Sequence, residues 1–396
     1  MAGIYIHIPF CEKKCTYCDF YSITNKDLIN EFISSLQKEI EMFAQLFDTK
    51  TATIDTIYFG GGTPSLLDPS DIEKIVNTLH KHFFISNVKE FTIECNPVTN
   101  FTSKLLDYKI IGINRLSIGV QSLDDAELKF LSRIHSKEEA IASIQSALAV
   151  FENFSVDIMF SLPFQKEETL VQTLTQLLKF DIKHISAYSL IYEEGTPLFV
   201  QLKKGKFQPK NEDEDFQLYQ TIYTTLKENG FVHYEVSNFA KPGYESRHNL
   251  GYWRHQDYYG FGPSAHSFYL NTRKWNVRSI KNYIFLLKEN KLPIEGYEIL
   301  TRSSQITERI MLGLRAEGIS IEQFFKDFGI DLSRFANTIF GDWENAGLAI
   351  VHDGTVKLTS KGYFLCDKLT LDLLAAIETN YPSVFRKEQS SSLLQV

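Results

Sequence analysis

The chain of 396 residues is long enough for one large α/β domain with a smaller one or two beside it. Its 43% hydrophobic and 23% charged content is ordinary for a globular protein, and no run of 18 apolar residues offers a membrane-spanning helix. A net charge of −8 argues against a nucleic-acid-binding surface spread over the whole molecule.

The N-terminus runs directly into a β-branched, apolar stretch that reads as a strand, with no basic segment before it, so no signal peptide is expected. That strand leads into Cys11, Cys15 and Cys18, spaced C-x3-C-x2-C. Three thiolates on one short loop can hold three corners of a cubane cluster. Iron–sulfur clusters usually take four cysteines, so one iron is left open to a non-protein ligand. A structural zinc site would be closed by four ligands, normally as two pairs, and no second pair follows. Five cysteines do not make a disulfide framework either. Cluster cysteines without an export signal point to a reducing compartment, so a cytoplasmic location is expected.

After the loop, Thr24-x-x-Asp27 has the form of a capping box, opening a helix with Leu28, Phe32, Ile33, Leu36, Ile40 and Phe43 at helical spacing. A strand over 54–59 ends in Gly60-Gly61-Gly62-Thr63-Pro64, and Asp68-Pro69 opens the next helix. Further strands are expected near 90–94, 115–120, 155–160 and 184–190, with helices around 102–108, 124–131, 137–151 and 167–180. Alternating strands and amphipathic helices call for a parallel sheet with right-handed crossovers. Six such units fall two short of a closed barrel, so an open, partial (β/α)6 TIM-like barrel is expected over 1–195. The chemistry of such barrels sits at the carboxyl ends of the strands. The cysteine loop, the glycine run, Glu94 and Gln121 all fall at such ends, and Asp157 lies within the fifth strand.

From about residue 191 the alternation stops, and 196–300 reads as a smaller α+β region. Its Lys203-Lys204-Gly205-Lys206 run reads as a solvated turn. A helix over 215–229 and a strand-like 231–239 precede the unusual Arg247-His248-Asn249-Leu250-Gly251-Tyr252-Trp253. Residues 301–396 read as a helical, winged-helix-like domain, with Asp353-Gly354 as the turn of a hairpin. They carry 10 Lys and Arg against 12 Asp and Glu, which suits packing or partner docking better than reading DNA.

An open iron needs a ligand, and a methionine moiety can supply an amine and a carboxylate. The rest of the site must then hold a ribose and an adenine. A glycine run lets the backbone approach such a ligand closely, although alone it could be a plain tight turn. Glu94 and Gln121 suit amine or hydroxyl groups, and Arg133 and Asp157 could complete a polar wall. Cys95 adjoins Glu94 and so faces the other way, as a buried structural thiol; Cys366 reads the same way. His7 shares a face with Tyr5, its role open.

Cys11-x3-Cys15-x2-Cys18 together with Gly61-Gly62-Thr63-Pro64 is similar to the radical S-adenosylmethionine (SAM) superfamily. Tyr5-Ile6-His7-Ile8-Pro9-Phe10, Glu94-Cys95-Asn96-Pro97 and Arg115-Leu116-Ser117-Ile118-Gly119-Val120-Gln121-Ser122 narrow the resemblance to the oxygen-independent coproporphyrinogen dehydrogenase group. The resemblance implies a [4Fe–4S] cluster on Cys11, Cys15 and Cys18, and a SAM site lined by Tyr5, Gly61, Gly62, Thr63, Glu94, Gln121, Arg133, Asp157 and Ala187. Two features mark the branch. The dehydrogenase has a fourth cysteine two residues after the third, where this chain has Phe20, and it has a longer N-terminal arm. His248-Asn249-Leu250-Gly251-Tyr252-Trp253 resembles the H-N-x-x-Y-W signature of the haem-chaperone branch (HemW). That branch implies haem binding, with His248 as a ligand, and delivery to an acceptor protein. An imidazole can ligate haem iron; a core histidine satisfied by a neighbour is the other reading of His248. An electron donor such as a flavodoxin or ferredoxin is implied, and no nucleic acid. The rival activity is oxidative decarboxylation of coproporphyrinogen III, made less expected by Phe20.

Overall fold

The computed structural model describes residues 2–47, 52–97 and 101–385. They divide into two compact units, Met1–Tyr252 with Gln256–Glu298, and Trp253–His255 with Ile299–Val396. No helix among the described residues is long and apolar enough to cross a membrane.

The first unit is built on six parallel strands. These are β1 (Ala2–Ile8), β2 (Ile54–Gly61), β3 (Glu90–Cys95), β4 (Arg115–Gln121), β5 (Phe154–Phe160) and β6 (His184–Ser189). The helices between them are α1 (Ile29–Leu46), α2 (Pro69–His82), α3 (Phe101–Ile111), α4 (Asp125–Phe130), α5 (Lys137–Val150) and α6 (Glu167–Leu177). Local signals start several of them. Asp68 precedes Pro69 at the head of α2, Asp124 caps α4 by accepting from Ala126 and Glu127, and Ser136 with Glu139 closes a capping box on α5. The box expected at Thr24–Asp27 does not form, and α1 begins at Ile29 with Leu28 as its cap. Ile23 is instead paired to the strand exit, its N–H donating to Pro9 O (2.7 Å) and its carbonyl accepting from Cys11 N (2.9 Å). That pairing holds the chain extended where the box would have turned it.

The sheet stays open, as a partial barrel requires: β1 pairs β2 on one side and β9 (Asp257–Phe261) on the other, and β1 and β6 are not neighbours. After α7 (Pro197–Lys203) and α8 (Glu212–Glu228), the strand-like 231–239 becomes two strands, β7 (Val232–Glu235) and β8 (Asn238–Ala240). β8 runs antiparallel along β6. The segment Arg247–Trp253 is helix α9. β10 (His266–Tyr269), β11 (Thr272–Asn276), α10 (Ile280–Lys288) and β12 (Ile294–Ile299) follow, and the strands extend the sheet beyond β9 to twelve in all.

The second unit carries α11 (Arg302–Leu314), β13 (Ile319–Ser320), α12 (Ile321–Phe328), α13 (Asn337–Asn345), β14 (Ala349–His352), β15 (Thr355–Leu358), α14 (Ser360–Phe364), α15 (Cys366–Asn380) and α16 (Pro382–Phe385). Asp353 and Gly354, both at positive φ, turn the β14–β15 hairpin, the backbone such a two-residue turn needs. Cys366 is buried there, and Cys95 is buried in the first unit.

One carboxylate pins α1 to the distal part of the sheet. Glu39 is buried and accepts from Gly262 N (2.8 Å), Tyr283 OH (2.6 Å) and Asn276 Nδ2 (2.6 Å). Burial pushes its carboxyl up to about 7 against the pull of those three donors. A folded-state pKa above the unfolded one adds stability that is complete below about 4.5 and is lost as pH rises through 7. The expected loss is about 3 kcal/mol. The stability of Glu39→Gln relative to the wild type, read from urea midpoints of the metal-free proteins, should therefore rise between pH 5 and pH 8; a difference that stays constant with pH would place the titration elsewhere.

Candidate functional site

Register decides which side chains share the inner face of the half-barrel. Tyr5 stands beside Tyr58 and His7 beside Gly60; Tyr58 stands beside Thr92, Glu94 beside Ser117, and Asp157 beside Ser186. Since strand side chains alternate, this face is polar from end to end. The opposite face carries Ile4, Ile6, Ile8, Phe59, Ile93, Ile118, Val156 and Ile185, all buried.

The amino-terminal half of the inner face is sealed. Thr56, Glu90, Thr92, Arg115, Ser155 and His184 are buried there; Ser155 and Thr92 find partners within the barrel, and β7 to α9 supply partners to Thr56, Glu90 and His184. His184 Nε2 is hydrogen-bonded to Tyr234 OH (2.8 Å), and Glu90 accepts from Arg247 N (2.8 Å) and His248 N (3.0 Å). His248 is buried, with Nδ1 bonded to Thr56 Oγ1 (2.8 Å), Nε2 to Tyr252 OH (2.9 Å) and its ring stacked on Tyr58 at 5.0 Å. Burial, helped by the charge of Arg115, pushes His248 down to about 3, so the imidazole is neutral.

The carboxyl-terminal half is open, with Tyr5, Tyr58, Glu94, Gln121 and Asp157 only half-buried. Glu94 accepts from Tyr58 OH (2.8 Å) and Gly61 N (3.0 Å), and burial pushes it up to about 7. Asp157 accepts from Ser117 Oγ (2.9 Å) and Ser155 Oγ (3.1 Å), and burial raises it too. The glycine run lies against the exit of β1, with Gly62 N donating to Ile8 O (2.8 Å) and Thr63 N to Phe10 O (2.8 Å). A Cβ on Gly62 would lie 2.7 Å from Phe10 O, and one on Gly60 would meet Tyr58, Glu94 and Tyr5 at 2.9–3.0 Å. Backbone blocks any side chain at Gly62, whereas at Gly60 the obstacles are side chains that a methyl group would push aside.

The cysteine loop is anchored at several points. His7 Nε2 is bonded to Tyr21 O (2.9 Å), Leu198 N donates to Thr16 O (2.9 Å), and Ser132 Oγ donates to Thr16 Oγ1 (3.2 Å). Cys11, Cys15 and Cys18 are free and half-buried. Thr63 Oγ1 donates to Cys11 Sγ (3.6 Å) and Arg133 Nη1 to Cys15 Sγ (3.6 Å). Among the described residues no three His, Cys, Asp or Glu side chains are grouped to hold a metal ion.

Residues 5–177 match the Radical SAM superfamily and residues 300–365 the HemN C-terminal domain. The chain is 35% identical to the heme chaperone HemW of Bacillus subtilis (strain 168), covering 92% of this chain and 97% of that one. The chain belongs to the HemW branch of the radical SAM, HemN-like group. It is also 32% identical to the radical S-adenosyl methionine domain-containing protein 1, mitochondrial, of Mus musculus, over 95% of this chain and 88% of that one. Among solved structures, coproporphyrinogen III oxidase (HemN) from Escherichia coli superposes with a TM-score of 0.79 at 22% identity, covering 93% of this chain and 89% of that one. That likeness is one of fold.

Membership in the radical SAM superfamily implies a [4Fe–4S] cluster and SAM, and the HemW-branch mouth fits both. Its three thiols are unpaired, and Arg133 Nε is a buried donor with no hydrogen-bond partner, free for a carboxylate. Glu94 and Asp157 offer acceptors to amine or hydroxyl groups, and the glycines leave backbone where a ligand can approach. When bound, the cluster supplies one-electron chemistry at an iron open to SAM.

Of the expected SAM residues, the structure gathers Tyr5, Gly61, Gly62, Thr63, Glu94, Gln121, Arg133 and Asp157 at or beside the mouth. Ala187 is in register with Ile158, on the apolar face, and its N–H donates to Ser237 O (2.8 Å). His248 lies at the far end of β1, against Gly3 and Thr56. Phe20 is 69% exposed. Gly60, Asn96 and Gly119 also belong to the mouth; each lies within or beside a stretch that carries the resemblance, but nothing in the sequence alone gives Asn96 or Gly119 a role. Gly60→Ala should fill the mouth with a methyl group while leaving the cysteines untouched. SAM binding, read by anaerobic equilibrium dialysis, should weaken roughly tenfold, about 1.4 kcal/mol, at unchanged iron content. Equal affinity would show that SAM does not approach this glycine.

Proposed function

We propose that the protein takes up haem and passes it to an acceptor protein, with the cluster and SAM in the barrel mouth acting as a redox-sensitive regulatory site. The observation that carries this reading is the end-to-end match with the Bacillus subtilis relative named heme chaperone HemW. Phe20 supports it, because the residue after Cys18-Asp19 offers an exposed apolar ring in place of a further sulfur ligand. In this reading the cluster is reduced by a flavodoxin- or ferredoxin-like donor in the cytoplasm, and no nucleic acid is involved.

His248 is the proposed haem ligand, and the geometry sets a condition on it. Both ring nitrogens are engaged, and a Cβ on Gly3 would already lie 3.2 Å from its Cε1. A macrocycle has no room there, so ligation requires α9 to let go of the floor of the half-barrel. Haem binding should then raise amide hydrogen exchange over 247–253, and His248→Ala should abolish the shift of the haem absorption band. An unchanged haem spectrum in the variant would place the ligand elsewhere and leave His248 as a structural residue.

Catalysis is tested separately. Anaerobic incubation with reductant, SAM and coproporphyrinogen III should leave that porphyrinogen unchanged. Accumulation of protoporphyrinogen IX would overturn the chaperone reading in favour of the decarboxylase.

A further inference from the structure

Two of the three cysteines that hold the cluster receive a hydrogen bond from a side chain outside their loop, and one residue aims both donors. Thr63 Oγ1 donates to Cys11 Sγ and Arg133 Nη1 to Cys15 Sγ, each at 3.6 Å. Asn96, the residue just past β3, joins the two. Its Nδ2 donates to Thr63 Oγ1 (2.9 Å), and its Oδ1 accepts from Arg133 Nη2 (2.6 Å). A threonine hydroxyl has one proton, so a donor arriving at its oxygen leaves that proton for the sulfur. On the other side, Nη2 is also held by Gly119 O (2.8 Å), which fixes the guanidinium plane and with it the direction of Nη1. The chain makes space for this clasp: a Cβ on Gly119 would lie 3.2 Å from Asn96 Oδ1 and 3.3 Å from Arg133 Nη2. The amide orientation follows from its partners, since the reverse would set an NH2 against the guanidinium.

We propose that Asn96 is a positioning residue for the iron–sulfur site, holding the hydrogen bonds on Cys11 and Cys15 and thereby setting the reduction potential of the cluster. The proposal rests on Cys11, Cys15 and Cys18 being the cluster ligands. Hydrogen bonds to the sulfurs stabilise the added negative charge of the reduced cluster, and so raise its potential. Without Asn96 the Thr63 hydroxyl and the guanidinium can both rotate off sulfur, so the cluster becomes harder to reduce.

The test uses the full chain reconstituted anaerobically, with iron and sulfide content measured first. The midpoint is then followed by the electron paramagnetic resonance of the reduced cluster, without SAM. Asn96→Ala and Thr63→Val should each move the midpoint to a more negative value, and the double variant should move it by less than the sum, because part of the effect of Asn96 runs through Thr63. Thr63→Ser, which restores the hydroxyl, should return the wild-type midpoint. Asn96→Ser is measured beside Asn96→Ala, so that loss of the cluster in one leaves the other to decide. A wild-type midpoint in an Asn96 variant with full iron content, or strictly additive shifts, would overturn the proposal. A wild-type chain that takes up no iron and sulfide would instead refute the cluster assignment itself.

Discussion

A half-barrel that opens at one end onto a charged ligand has an inner face that is polar along its whole length, and the part of that face away from the ligand must be satisfied by protein. A buried polar group left without a partner costs roughly 1–3 kcal/mol, more if charged. Here the liability that the strands do not meet among themselves falls on Glu90 and His184, both buried on the inner face. The chain meets it with the segment from β7 to α9. Tyr234 takes His184, and the N–H groups of Arg247 and His248 take Glu90. This floor lets the same strands be wet and ligand-binding at one end and dry at the other.

The mouth inherits its precision from that arrangement. β1 is an interior strand, paired on both sides, so Tyr5 and His7 have fixed neighbours. The cysteine loop leaves this strand and is tied back to it through Ile23, and through Tyr21 on His7. At β4 a register shift before Gln121, with Gln121 at φ 66°, turns its side chain back over Gly119 toward Asn96 and Arg133. Strained backbone at the end of a rigid strand is how a binding group is aimed without relying on a mobile loop.

The six strands were legible because their outer faces are apolar and their ends carry chemistry. The period-two pattern in Glu90, Thr92 and Glu94, or in Ser155 and Asp157, was equally visible, yet a polar inner face deep in a fold reads in sequence as solvent exposure. The extension was harder to read. Strands β7 to β12 are short and partly exposed, so their patterns are weak, and they join the main sheet at an edge of β6 on one side and of β1 on the other that no local signal marks. The Thr24 box failed for a similar reason: a non-local bond from Ile23 overrode a local cap. Asn96 and Gly119 lie within the same motifs as Glu94 and Gln121, yet they act through the neighbours they hold, and a role of that kind shows only in distances.

The same reasoning separates the two ends of the molecule. At the mouth the donors and acceptors already stand in place, so binding there costs little ordering of the chain. At His248 every polar atom is spent: Nδ1 on Thr56, Nε2 on Tyr252, the backbone N–H on Glu90. A ligand at that imidazole must exchange at least one of these bonds, so its apparent affinity is reduced by the rarity of the opened state. Tyr58 is common to both ends, its hydroxyl on Glu94 in the mouth and its ring on His248 in the floor. In the proposed function this one side chain is where the state of the mouth can bias the release of the floor. A bias of that kind needs a difference in contact between two states, and Tyr58 has a contact to lose on either side.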